Sequence, residues 1–158
     1  MTRWTIRPYR QSDAEALSHL MHQAIHEGAA GAYDKAQRQA WSPAPWPDAR
    51  FSQRIAGQHC RVGVDASGAA GFMTLTAEGR IDLAFVRPDR MGSGLAGALY
   101  EALLVTARQE GFSRLTVEAS HLARPFFERR GWTLERSQTI ERDGISLENH
   151  LMAMELDG

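Results

Sequence analysis

Gly92 and Gly94 stand between an apolar run, Ile81 to Val86, and an Ala/Leu-rich stretch that begins at Leu95. A strand that passes through a glycine loop into a helix start is an anion-binding device. The first N–H groups of such a helix have no internal partner and point outward, where they can hold a phosphate. The two glycines leave the backbone bare, so a diphosphate can approach it closely. Gly92-Ser93-Gly94-Leu95-Ala96-Gly97 is not a dinucleotide fingerprint, because no acidic residue closes a second strand about 20 residues on. Nor is it a P-loop, which would end in Gly-Lys-Ser or Gly-Lys-Thr. Two carboxylates sit where strands are expected: Asp82 inside the apolar run, and Glu118, which shares its strand facing with Ser120.

Other reactive types are less promising. His19, His22 and His26 fall at i, i+3 and i+7, opposite the apolar stripe of Leu17, Leu20, Met21, Ala24 and Ile25. They read as a solvated face, and no metal site is expected. Cys60, the single cysteine, excludes an internal disulfide framework and fits a reducing cytosol. At a strand start between His59 and Arg61, it reads as a buried structural thiol.

The elements that must position these groups can be followed along the chain. Thr5-Ile6-Arg7 reads as a short strand, and Ser12 with Glu15 as a capping box opening a helix. Residues 28–47 mix glycine and proline with Tyr33, Trp41 and Trp46, with a short helix over Ala36 to Trp41. Phe51 to Ala56 reads as a helical turn, then Cys60–Val64 and Ala70–Leu75 as a strand pair. The helix from Gly94 to Gln109 ends at Gly111. Leu115 to Ala119, entered from that helix, is expected to lie parallel to the 81–86 strand. Ala123 to Arg130 is a short helix, and Arg142-Asp143-Gly144 joins strands 132–140 and 145–156 in a hairpin.

The chain has 158 residues, which fits one domain, 1–158, with a real core. Eighteen Lys+Arg against nineteen Asp+Glu leave it near neutral, which argues against nucleic-acid binding. Lys35 is the only lysine, an arginine bias that suits a high-GC bacterial genome. No apolar run approaches the roughly 20 residues of a membrane span, and the first residues do not read as a signal peptide. A cytoplasmic location with no membrane partner is expected.

The glycine loop, with its strand and Val-x-Pro lead-in, resembles that of the GCN5-related N-acetyltransferases (GNAT). That family carries Arg/Gln-x-x-Gly-x-Gly/Ala here, and Gly94 and Ala96 take its two small positions. Met91 stands at the Arg/Gln position, with Arg90 one residue early. Ser120-His121-Leu122-Ala123-Arg124-Pro125-Phe126-Phe127-Glu128-Arg129-Arg130-Gly131-Trp132 is similar to the family's Asn-x-x-Ala-x-x-Phe-Tyr-Glu-Lys-x-Gly-Phe segment. The resemblance covers essentially the whole chain. It implies an α/β fold, a mixed twisted sheet flanked by helices, with the cofactor where two central parallel strands splay apart.

It further implies acetyl-coenzyme A as co-substrate, no metal, and transfer of the acetyl group to an amine of a small molecule or peptide by direct attack in a ternary complex. The cofactor would lie against Phe85, Val86, Met91, Gly92, Ser93, Gly94, Leu95 and Ala96, then Ser120, Ala123, Phe126, Phe127 and Arg129. Tyr33, Trp41 and Trp46 would wall the acceptor site with Asp82 and Glu118. An alkylammonium, with a pKa of about 10.4, must lose a proton before it attacks, and a carboxylate can collect it. Asp82 is the first candidate and Glu118 the second; an ion pair of Asp82 with Arg80 or Arg87 is the alternative. Phe127 replaces the tyrosine that family members are taken to use on the leaving thiolate. Ser120, His121 or Tyr33 could supply the proton, or the thiolate could leave without one, its thiol having a pKa near 8.5. The competing reading is a non-catalytic acyl-coenzyme A sensor. The acceptor, the acyl length and the choice between monomer and homodimer stay open.

Overall fold

The computed structural model describes residues 3–156; residues 1, 2, 157 and 158 of the expected domain lie outside the described residues. Among the described residues seven strands form one sheet: β1 (Thr5–Pro8), β2 (His59–Asp65), β3 (Gly68–Leu75), β4 (Arg80–Val86), β5 (Arg114–Ala119), β6 (Thr133–Arg142) and β7 (Ile145–Glu155). Their order is β1-β2-β3-β4-β5-β7-β6. All neighbours are antiparallel except β4 and β5, which are parallel. The 142–144 turn is confirmed: Asp143 and Gly144 take φ of 51° and 76°, as a tight hairpin turn requires.

Helix α4 (Leu95–Gln109) covers one face, sharing a core with Ile81, Leu115, Val117, Trp132 and Met152. Helices α1 (Ala14–Gln23) and α3 (Asp48–Ile55) cover the other, around Leu17, Phe51, Val62, Phe72 and Leu83. Helix α2 (Lys35–Trp41) packs on β7, and the short α5 (Arg124–Glu128) follows β5. A π-helical turn, Ala24–Gly28, continues α1, the kind of irregularity that often marks a functional site.

Two details depart from expectation. Ser12 and Glu15 do not form a capping box. A 3-10 turn, Gln11–Asp13, opens the segment, and the Asp13 carboxylate accepts the Arg10 N–H at 2.7 Å. Arg7 on β1 also grips Asp13 through two hydrogen bonds of 2.8 Å, so a strand residue far from the local pattern decided the helix start. Nor is the histidine face wholly solvated. His22 Nδ1 meets the buried Ser42 hydroxyl at 2.6 Å, and His26 Nε2 meets the Ser42 carbonyl at 2.6 Å, tying α1 to the end of α2.

Helix α4 lies close on the sheet because β2 and β3 offer glycines beneath it. A Cβ on Gly71 would stand 3.1 Å from Leu95, 3.2 Å from Leu99 and 3.2 Å from the Phe85 carbonyl. Gly71→Val is therefore expected to overpack this contact and cost about 1–3 kcal/mol, read as a lower urea midpoint at unchanged slope. The Asp13 carboxyl is held below the usual carboxylate range, chiefly by the Arg7 hydrogen bonds. Its stabilisation is therefore full above about pH 4 and is lost as pH falls through its lower folded value. Arg7→Gln should cost about 1.5–3 kcal/mol at pH 7, and the gap to wild type should close below about pH 4 in urea titrations.

Candidate functional site

Strands β4 and β5 pair only at Arg80↔Thr116 and Ile81↔Val117. Beyond that point β4 carries one extra residue against β3: Leu75 faces Ile81 but Met73 faces Ala84. This bulge re-aims the strand. Ile81 points into the α4 core while Leu83 points into the α1/α3 core, so the simple alternation expected for Ile81, Leu83 and Phe85 fails. The Leu83 N–H goes to Thr74 Oγ1 at 3.0 Å, and the Arg87 N–H to the Ala70 carbonyl at 2.8 Å, both on the β3 side. By strand alternation, the main-chain groups of Ala84 and Val86 turn to the opposite edge, where β5 has diverged.

Two clefts open along that splay. One, of about 310 Å³, runs from the splay to the glycine loop. Of the expected cofactor residues, Phe85, Val86, Met91, Gly92, Gly94 and Ala96 line it, as do Ser120, Ala123, Phe126, Phe127 and Arg129. Ser93 and Leu95 do not. Leu95 is fully buried against the sheet, and the Ser93 hydroxyl donates back to the Arg90 carbonyl, closing the loop. Gly92 and Gly94 take φ of 75° and 94°, which side chains disfavour. The Met91 and Ser93 amides are spent inside the loop, on the Pro88 and Arg90 carbonyls. Those of Gly92, Gly94, Ala96 and Gly97 have no protein acceptor among the described residues.

Arginines the sequence reading placed loosely find definite positions. Arg90 Nε holds Asp65 at 2.8 Å, pinning the loop to the β2–β3 turn. The Asp65 carboxyl is held down to about 2 by the Ser67 hydroxyl and N–H, with Arg90 adding to the effect. Arg130 lies over the Phe126 ring at 3.6 Å, and its Nη2 would stand 3.0 Å from a Cβ on Gly97. A fixed positive charge therefore sits over the first turn of α4. Arg129 is exposed at the cleft.

The other cleft, of about 190 Å³, brings together all five expected acceptor residues: Tyr33, Trp41, Trp46, Asp82 and Glu118. Asp82 accepts from Arg54 at 2.8 and 2.9 Å and from Gln58 at 2.9 Å, with Arg80 at 3.9 Å. Burial pushes its carboxyl up, but these donors outweigh it and the net shift is downward. Neither Arg54 nor Gln58 was weighed as a partner. Asp82 turns away from Ile81 and the α4 core toward α3, and the bulge brings Leu83 to that same side. Glu118 is freer, its side chain 41% exposed and 3.9 Å from Arg80.

The hydroxyl groups divide clearly. Tyr33 donates to the Glu148 carbonyl at 2.7 Å and accepts the His121 N–H at 3.0 Å, so its oxygen is engaged on both sides. The His121 ring stacks on Tyr33 at 4.7 Å and meets His150 Nε2 at 2.8 Å, outside the lining of either cleft. Ser120 Oγ accepts the Ala123 N–H at 3.1 Å, which leaves its own O–H free, and Ser120 lines both clefts. Phe127, 1% exposed, packs edge-on to Trp132 at 4.9 Å and anchors α5. The clefts meet at Ile25, Trp41, Ala84, Phe85, Ser120, Ala123 and Phe127. Among the described residues, no thiol, imidazole or amine stands at that junction.

Two further groups lie outside the junction of the clefts. Cys60 is buried in the α1/α3 core, and burial pushes its thiol up to about 12. His121, Glu148 and His150 place ligand-type atoms within 4.8 Å of one another. The Arg124 guanidinium, 3.4 Å from His150 Nδ1, opposes a cation there, and burial and that charge together lower the His150 pKa.

The acetyltransferase (GNAT) domain family matches residues 17–156 of this chain. A protein of Escherichia coli (strain K12), the uncharacterized N-acetyltransferase YafP, is 31% identical over 147 residues, 93% of each chain. A crystal structure from Rhodopseudomonas palustris, described as a GCN5-related N-acetyltransferase and as an aminotransferase, class-II, superposes with a TM-score of 0.92 at 31% identity, over 99% of this chain and 98% of that one. The PaiA N-acetyltransferase of Thermoplasma acidophilum, solved with coenzyme A, shares the fold at a TM-score of 0.78 and 15% identity, over 98% and 100% of the two chains. The splayed parallel pair, the bare amides beside it and these likenesses agree, and the chain belongs to the GNAT acetyltransferases and is an acyltransferase.

Proposed function

We propose that acetyl-coenzyme A lies in the larger cleft with its diphosphate on the free amides of Gly92, Gly94, Ala96 and Gly97, under the charge of Arg130. Pantetheine, itself a peptide-like chain, extends along β4 and pairs with the open edge at Ala84 and Val86. The thioester then reaches the junction of the clefts, and an amine enters from the smaller one. The observation that carries this reading is the β4–β5 splay, which joins an anion site to a walled pocket through one opening.

The amine nitrogen attacks the thioester carbonyl carbon directly, in a ternary complex. A junction without a nucleophile other than Ser120, which has no base beside it, supports this over an acetylated enzyme. The C–S bond breaks, and the free Ser120 hydroxyl donates a hydrogen bond to the departing thiolate, in the role for which Phe127 has no group. The thiolate, whose thiol has a pKa near 8.5, leaves as the anion and takes its proton from water. The amine's surplus proton passes through water to Glu118. Asp82, saturated by Arg54 and Gln58, serves to pin α3 to β4 beside the pocket. Binding both reactants in line supplies most of the acceleration.

A thiol-release assay over an amine panel tests the whole reading; coenzyme A binding with no turnover on any amine would replace it with the sensor. Ser120→Ala should lower kcat about 10²-fold with little change in the KM for acetyl-coenzyme A, and Ser120→Thr should recover much of it. Glu118→Gln should depress kcat/KM at neutral pH by about 10²-fold, while Asp82→Asn should act on stability and acceptor KM and leave the shape of the kcat pH profile intact. Gly94→Ala, which strains a left-handed position by about 1–2 kcal/mol, should weaken coenzyme A binding about tenfold by calorimetry.

A further inference from the structure

Resting on the assignment of the smaller cleft to the acceptor, we infer that the acceptor is an amino acid: an amine that also carries a carboxylate, met by Arg50 and Arg142. Carboxylates on an acceptor wall suggest at first a cationic guest, but two of the three there already face an arginine. Asp82 is matched by Arg54 and Glu118 by Arg80. What remains on the lining is two arginines without a carboxylate partner among the described residues, Arg50 and Arg142, against one carboxylate, Glu148.

The two arginines come from opposite walls. Arg50 belongs to α3 and lies over the Trp46 ring at 4.5 Å. A guanidinium stacked in this way keeps its N–H edge free for a carboxylate in its own plane. Arg142 ends β6 at the hairpin turn and reaches the same cleft. Glu148, on β7, supplies the one unmatched negative charge, suited to an ammonium before it gives up its proton. The surplus is therefore a pair of positive groups and a single negative one, complementary to a zwitterion. A purely cationic amine would leave both arginines facing it unmatched.

The test is thiol release with free L-amino acids, each paired with the amine that lacks its carboxylate, for example phenylalanine with phenethylamine. Rates are compared at equal concentrations of unprotonated amine. The amino acid should show kcat/KM about 10–100-fold above its partner. Arg50→Gln and Arg142→Gln should each raise the amino-acid KM about tenfold, leaving the KM of the plain amine and the affinity for coenzyme A unchanged. Equal or better use of the plain amine, or variants that shift both members alike, overturns the inference. Should no amine of either kind be acetylated, the acceptor reading itself has failed. Calorimetry of the same pairs on protein saturated with coenzyme A then decides: binding of the amino acid alone upholds the anion pocket, and no binding removes it.

Discussion

The hydrogen bonding between β4 and β5 stops after two residue pairs, and the rest of the site depends on that interruption. A sheet interior normally satisfies its main-chain groups on both edges. Here the bulge at Asp82 and Leu83 swings β4 away while β3 keeps hold of its far side. Strand edges left unpaired in a protein interior need something peptide-like to complete them, and the proposed pantetheine arm is such a chain. The close seating of α4 over Gly63 and Gly71 brings the helix N-terminus to the end of that same edge. One topological break therefore lines up an open strand edge with the bare amides at the start of α4.

Much of this was readable from the chain. The glycine loop, the apolar run before it, the parallel partner and the closing hairpin all rest on local signals: bare backbone, unbroken hydrophobicity, and turn residues that take positive φ. Their boundaries came out within a residue or two. The residues expected at the acceptor site, drawn from an irregular segment and two strands, do line one cleft.

What was not legible has a common cause: contacts between residues distant in sequence. Arg7 displaced the local capping signal at Ser12 by gripping Asp13 across the strand–helix junction. Ser42, at the end of another helix, drew His22 and His26 out of the solvent. Strand alternation sets Asp82 opposite Ile81, as found, but also opposite Leu83 and Phe85; one inserted residue, which leaves no mark in composition, brings those two to its own side. Arg50 and Arg142 were missed for the same reason: Arg50 stands just before the expected turn of Phe51 to Ala56, where the helix begins at Asp48, and Arg142 lies in a segment that reads simply as a hairpin. In a chain with almost no lysine, guanidinium groups carry nearly every ion pair, and their partners are set only once the sheet is assembled.

The buried thiol of Cys60 has a practical corollary. Sealed beneath α1 and α3 and held protonated at ordinary pH, it offers no thiolate to electrophiles. Disulfide reagents added to follow a reaction in this protein will therefore register only sulfur released from elsewhere. Slow labelling of Cys60 itself becomes a clock for how often those two helices lift from the sheet.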